Sequence, residues 1–132
     1  MLFNFLADRQ KNCCMRVLIC DDEPHIRLLY RSEFEFAGAD VVVAADGDEA
    51  IEVAEREQPE LIVLDIRMPR RDGLSALEEL HARCPTAHVL MVTAEFSLDH
   101  FSRARELGAD ECIDKLEFLG RIPELLKHYT AA

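Results

Sequence analysis

The chain has 132 residues and a formal net charge of −11, from 15 basic and 26 acidic residues. That length makes one domain able to bury a sizeable core unaided, and 49% hydrophobic with 31% charged residues is the balance of a globular rather than a disordered chain. So negative a field repels phosphate backbones, which argues against nucleic-acid binding by this chain and favours cations and basic partner surfaces.

Residues 1–14 read as an N-terminal extension, because Met15-Arg16-Val17 is itself a natural beginning; the domain is expected over residues 15–129, with a tail at 130–132. RVLIC (16–20) is the first candidate strand. In the helix after it, from Pro24 to Ala37, Ile26, Leu29, Tyr30, Phe34 and Ala37 share a face; Pro24 suits a first turn and Gly38 a stop. After the strand DVVVAA (40–45), a helix from Asp48 to Gln58 carries Ala50, Ile51, Val53 and Ala54 until Pro59 breaks it. ELIVLD (60–65) precedes a helix marked by Leu74, Leu77 and Leu80; HVLMVT (88–93) precedes one from Ser97 to Leu107 that ends on Gly108. DECIDK (110–115) is the last strand. Gly120 and Pro123 interrupt the segment beyond it, so the regular part of the fifth helix is expected from Pro123 to His128.

The strands are mostly continuous apolar runs, the mark of burial on both faces in a parallel sheet. Alternation with helices predicts a (βα)5 doubly wound α/β fold, a five-stranded parallel sheet in three αβα layers with right-handed crossovers. No apolar run approaches the roughly 18 residues of a membrane span, and the N-terminus lacks a basic start followed by a long apolar core. The five cysteines, Cys13, Cys14, Cys20, Cys84 and Cys112, have neither an even count nor zinc spacing, so a cytoplasmic protein with reduced thiols is expected.

In open sheets of this kind, ligands bind outside the carboxyl ends of the strands. There the first strand offers Asp21 and Asp22, the third Asp65, the fourth Thr93 and the fifth Lys115, while the second offers nothing comparable. Singly, the acidic pair would pass for a helix cap, Thr93 for a strand end and Lys115 for a solvated lysine. Together, three acids raise one another's pKa unless a cation neutralises them, which implies a bound metal. Oxygen-only donors point to a hard cation, and a partial carboxylate shell suits Mg²⁺. A metal, an amine and a hydroxyl can hold three oxygens of a phosphoryl group, leaving one carboxylate as nucleophile.

The acidic pair, the stretch DIRMPRRDG matching the pattern DxxMPxxDG, Thr93-Ala94 and Lys115 succeed one another in an order that resembles the receiver domain of two-component response regulators. The resemblance runs from about Met15 to His128. It implies a flavodoxin-like strand order 2-1-3-4-5, Asp65 as phosphoacceptor, Asp22 as direct Mg²⁺ ligand, Asp21 as a ligand through water, and the main-chain carbonyl of Arg67 on the metal. Thr93 and Lys115 become the switch hydroxyl and the phosphate-binding lysine. The implied partners are a sensor histidine kinase or histidine phosphotransfer protein and an unidentified downstream protein, with a homodimer through the fourth helix, fifth strand and fifth helix as a further expectation. Such a chain is a signalling switch, catalysing only its own phosphorylation and dephosphorylation.

Three positions depart from the pattern. Cys112 stands where receivers usually carry a switching aromatic, and a thiol cannot sweep the volume of a ring. Leu116 comes after the lysine in place of proline, so a trans Lys115-Leu116 bond and a rerouted loop are expected. Arg70 stands where glycine is common, and with Arg71 it is expected to meet an acidic partner or offset the acidic rim. Arg67 and Glu95, two past the acceptor and the threonine, are expected to pair across the mouth and modulate water's access to the aspartyl phosphate. A constitutive interaction module with impaired switching is the alternative that Cys112 and Leu116 support. A haloacid-dehalogenase-type phosphatase would need Asp-x-Asp on the first strand, and a flavin or dinucleotide binder a glycine- or hydroxyl-rich first loop.

Overall fold

The structure is a computed structural model that describes residues 15–130 apart from 69 and 96. The expected extension over residues 1–14, with Cys13 and Cys14, therefore lies outside the described residues. Ten elements alternate: β1 (Arg16–Cys20), α1 (Pro24–Phe36), β2 (Asp40–Ala44), α2 (Gly47–Glu57), β3 (Leu61–Asp65), α3 (Gly73–Arg83), β4 (His88–Thr93), α4 (Leu98–Glu106), β5 (Glu111–Asp114) and α5 (Lys115–Thr130). The five strands are all parallel, in the order β2-β1-β3-β4-β5, so the expected fold is the one observed.

Strand alternation divides the core in two. Leu18, Cys20, Ile62, Leu64, Val89 and Met91 face α2, α3 and α4, where they meet Ala50, Ala54, Leu77 and Leu80. Val17, Ile19, Leu61, Val63, Leu90 and Val92 face the other way, onto Tyr30 and Phe34 of α1 and Phe118, Ile122 and Leu125 of α5. Phe118 is fully buried, and its ring meets Tyr30 edge-on at 4.9 Å, tying α5 to α1.

One boundary differs in substance from expectation. The fifth helix is not confined to Pro123–His128; it runs from Lys115 to Thr130 with Gly120 and Pro123 inside it. Interior glycine and proline cost about 1 and 3 kcal/mol. Phe118, Ile122, Leu125, Leu126 and Tyr129 are all buried along this helix, and at about 1.5–3 kcal/mol per large apolar side chain their burial exceeds that cost. Thr130, expected in the tail, is the last residue of this helix. No described peptide bond is cis, so Lys115-Leu116 is trans as expected, but the chain is not rerouted. Strand β5 passes straight into α5, and the Asp114 carboxylate accepts the Leu116 N–H at 2.7 Å as its cap.

Gly73 opens α3 against the end of β3, and its N–H donates to the Ile66 carbonyl at 2.8 Å, closing the intervening loop. A Cβ at this position would lie 2.1 Å from the Asp65 carbonyl oxygen, which belongs to a central strand and cannot yield. Gly73→Ala is therefore expected to destabilise the domain by about 1–3 kcal/mol. Urea unfolding checks this: the midpoint falls while the slope stays unchanged.

Candidate functional site

The sheet delivers its polar residues where the apolar runs stop. Asp65 is the last residue of β3 and Thr93 the last of β4, while Asp21 comes directly after β1. All three are buried, at 5%, 1% and 1% exposure, whereas Asp22 is exposed. One carboxylate oxygen from each of Asp21, Asp22 and Asp65 falls within 4.8 Å of the others. Alternation turns Asp65 to the side that α5 covers, and Lys115, the first residue of α5, meets it there. Its Nζ lies 2.9 Å from Asp21 Oδ2 and 3.1 Å from Asp65 Oδ2.

The opposite oxygens are committed to the backbone. Asp21 Oδ1 accepts the Glu23 N–H at 2.9 Å and Asp65 Oδ1 accepts the Arg67 N–H at 3.2 Å. The N-cap of α1 is Glu23, which makes no side-chain cap bond, so the acidic pair is not an ordinary helix cap. Each carboxylate is thus oriented by a main-chain donor on one side and by the ammonium on the other.

Burial, reinforced by the Asp21 charge, pushes the Asp65 carboxyl up to about 6, against the opposing pull of Lys115. Burial pulls the Lys115 ammonium down, but its hydrogen bond to Asp21 and the charges of Asp65 and Asp21 outweigh that and hold it above the ordinary lysine value. Asp65 is thereby more basic than a free carboxylate yet still largely ionised at neutral pH, which suits a nucleophile. Three oxygen donors at such spacing could hold a hard divalent cation. Beneath them, burial and the charge of Asp21 raise the Cys20 thiol far above its usual value, so it stays protonated.

Thr93 is at the site but not turned onto it. Its hydroxyl donates to the Glu95 carbonyl at 3.0 Å and accepts the Glu95 N–H at 3.1 Å, a closed local turn. The Arg67 guanidinium pairs with the Glu95 carboxylate, and both side chains are largely exposed. Cys112, on β5, is half-buried and packs against the core on the α2, α3 and α4 side. Leu116, beside Lys115, is 93% exposed.

Of the two expectations for Arg70 and Arg71, the contacts within the chain agree with the second, that they offset acidic groups at the rim. Arg70 Nη1 lies 3.6 Å from Asp46 Oδ2, and Arg71 Nη1 lies 3.5 Å from Asp48 Oδ1 and 2.8 Å from Glu79 Oε2. Asp46 is the residue that inspection of the strand ends missed. It is 8% exposed, caps α2 by accepting the Glu49 N–H at 2.9 Å, and its carbonyl accepts the Cys20 thiol at 3.3 Å. The signal was present, since an Asp three residues before Glu49 at a helix start is a capping pattern. A cleft of about 550 Å³ opens beside Asp22 and Arg67, with Met68, Leu74 and His100 in its walls. A larger one of about 1030 Å³ involves His88 and Glu111, the first residues of β4 and β5, and so lies at the far end of the sheet from the carboxylates.

Because the folded-state pKa of Asp65 lies above its ordinary value of 3.8, ionisation of this group opposes folding. Its favourable contribution is complete below pH 3.8 and is lost as pH rises through about 6. Asp65→Asn, which cannot ionise, is expected to melt several degrees higher than wild type at pH 7.5 in chelator, from a difference of at most about 3 kcal/mol. That gain should vanish by pH 4, as thermal unfolding across this range would record.

The response regulator receiver domain family matches residues 17–127. The chain is 38% identical over 121 residues to a probable transcriptional regulator, ycf27, of Porphyridium aerugineum, covering 89% of this chain and 50% of that protein. It is 38% identical over 100 residues to the alkaline phosphatase synthesis transcriptional regulatory protein PhoP of Bacillus subtilis, covering 76% of this chain and 42% of that one. This chain thus spans about half the length of those relatives. Among solved structures, a CheY-like receiver domain protein from Methanospirillum hungatei superposes with a TM-score of 0.80 at 31% identity, covering 89% of this chain and 98% of that one. Chemotaxis protein CheY4 of Vibrio cholerae gives 0.81 at 25%, covering 88% and 98%. With the family matched over nearly its whole described length and the strand order and acidic cluster in agreement, the chain belongs to the response regulator receiver domains of two-component systems.

Proposed function

We propose that this chain is a phosphoacceptor whose Asp65 takes a phosphoryl group, in a Mg²⁺-dependent transfer, from a sensor histidine kinase or histidine phosphotransfer protein, and that the modification switches a protein-interaction surface. The observation that carries this reading is the Lys115 ammonium joined at once to Asp65 and Asp21 beside Asp22. No structural need explains three acids and one amine converging from separate strand ends.

A carboxylate oxygen of Asp65 attacks phosphorus; an O–P bond forms as the donor's N–P bond breaks, and the electron pair remains on the imidazole nitrogen, regenerating the donor histidine. Asp22, Asp65 and the Arg67 main-chain carbonyl would hold Mg²⁺, with Asp21 acting through water, and the cation would supply neutralising charge to the phosphoryl oxygens. Lys115 exchanges a carboxylate oxygen for a phosphoryl oxygen. Thr93 gives up its bond to the Glu95 carbonyl and donates to another. That second exchange turns a new charge into a backbone change in the β4–α4 turn. The face of α4, β5 and α5 is the surface this reading assigns to output, toward an unidentified downstream protein or a second copy. Three free cysteines among the described residues suit a reducing cytoplasm, and no described helix is long and apolar enough to cross a membrane.

Incubation with Mg²⁺ and acetyl phosphate or beryllofluoride should modify wild type and leave Asp65→Asn unmodified, with amide shifts spreading from the site to α4 and β5. Modification without such shifts would favour a constitutive module, for which Cys112 and Leu116 are the motive; no modification would sink the phosphoacceptor reading.

The pair of Arg67 and Glu95 is worth little to stability, at about 0–1 kcal/mol, so its role in this reading is to obstruct water. Arg67→Ala and Glu95→Ala are each expected to shorten the aspartyl phosphate lifetime by about fivefold, equivalent to about 1 kcal/mol of barrier. Unchanged phosphate release from both variants would refute that role.

A further inference from the structure

Residues 66–68 and 70–72, between β3 and α3, make more contacts with the start of α2 and with α3 than an exposed stretch requires. Arg71 is gripped from three sides: Nη1 lies 3.5 Å from Asp48 Oδ1 and 2.8 Å from Glu79 Oε2, and Nε donates to Ser75 Oγ at 3.3 Å. Its backbone is pressed against Gly47, where a Cβ would come within 2.5 Å of the Arg71 carbonyl oxygen. Next to it, Arg70 adopts φ 66°, a left-handed conformation that costs a residue with a Cβ about 1–2 kcal/mol, and it is met there by Asp46. Inside the loop, the Met68 sulfur touches the Cys20 thiol at 3.2 Å, and that thiol donates to the Asp46 carbonyl. The neck is closed by Gly73 N–H donating to the Ile66 carbonyl.

Glu79 and Ser75 of α3 hold Arg71 from its own side of the loop, while the contacts across to α2 all come from one short turn, Asp46-Gly47-Asp48, which supplies no group to the carboxylate cluster. Individually the exposed pairs contribute about 0–1 kcal/mol each. What they add together is restraint, because Gly73 closes the neck of the loop and Arg70 and Arg71 are tied at the far side. That loop carries Arg67, whose N–H orients Asp65 and whose carbonyl the Mg²⁺ reading assigns to the metal.

We propose that the β2–α2 turn is a positioning element of the metal site: by holding Arg71 through Asp48 and packing Gly47 against its backbone, it sets the main chain of residue 67 for cation binding. This rests on the Mg²⁺ reading above. Arg71 is a positioning residue, touching neither the cation nor the phosphoryl group. The outermost member of the same ion network, Arg83, pairs with Glu79 at 2.8 Å and with Glu55 of α2, two helix residues, rather than with the loop.

The test compares wild type, Arg71→Ala, Arg71→Lys and Arg83→Ala in the full chain by Mg²⁺ titration calorimetry, and by hydrogen exchange at the Arg67, Gly73 and Leu90 amides. Arg71→Ala is expected to weaken Mg²⁺ binding by about tenfold and to speed exchange at Arg67 and Gly73, leaving Leu90 in β4 unchanged. Arg71→Lys should recover part of both effects, and Arg83→Ala should bind Mg²⁺ as wild type does. Arg71→Ala binding Mg²⁺ with wild-type affinity would overturn the proposal; so would weakened binding without faster exchange at Arg67 and Gly73, or accompanied by faster exchange at Leu90. A wild type that takes up no Mg²⁺ would instead bring down the metal reading, and the positioning role with it.

Discussion

Lys115 is the counter-charge on which the site depends. Two carboxylates buried at 1% and 5% exposure would repel each other at the strand ends if nothing neutralised them, and its ammonium bridges both. Removing the ammonium would leave both buried carboxylates without compensation, a loss that in buried charge pairs typically costs about 3–5 kcal/mol. The sheet order makes the bridge possible. Strand β1 lies next to β3, so Asp21 and Asp65 end side by side, and α5 returns across the same face to bring Lys115 to both. The apolar runs that drive folding are therefore also what drive the acids together.

That dependence explains why so much was legible in the residues. Continuous apolar runs indicated parallel strands, all but the second ending on or followed by a polar residue that packing did not ask for, and the carboxyl-end rule placed these on one edge. The fifth helix was misjudged because Gly120 and Pro123 were read by their local cost alone. Burial of Phe118, Ile122, Leu125 and Tyr129 operates over the whole helix and outweighs two breakers. Asp46 was overlooked because the end of β2 offers no carboxylate at the strand terminus itself; the acid comes two residues later, inside a helix cap. Arg70 and Arg71 could not be given partners from spacing, since Asp46 and Asp48 stand more than 20 residues away and meet them only once β1, β2 and β3 are aligned.

The structure holds Thr93 in a self-contained turn with Glu95, and Glu95 in turn with Arg67. A hydroxyl bonded to its own chain two residues on is satisfied locally, and in the proposed switch this is the bond that is exchanged. The arrangement joins the strand-end threonine to the loop after Asp65 through one surface ion pair. Cys112 contributes no ring to this chain of contacts and packs into the sheet face beneath α4. In the proposed switch, the readout therefore runs through the β4–α4 turn.

The most direct measurement is a crystal structure with Mg²⁺ and beryllofluoride bound. The expected result is beryllofluoride on an Asp65 oxygen, the cation among Asp21, Asp22 and Asp65, Lys115 Nζ on a fluorine, and the Thr93 hydroxyl turned from the Glu95 carbonyl to another fluorine. Beryllofluoride bound away from Asp65, or bound there with Thr93 still closed on Glu95 and Lys115 still bridging Asp21 and Asp65, would contradict the phosphoacceptor switch.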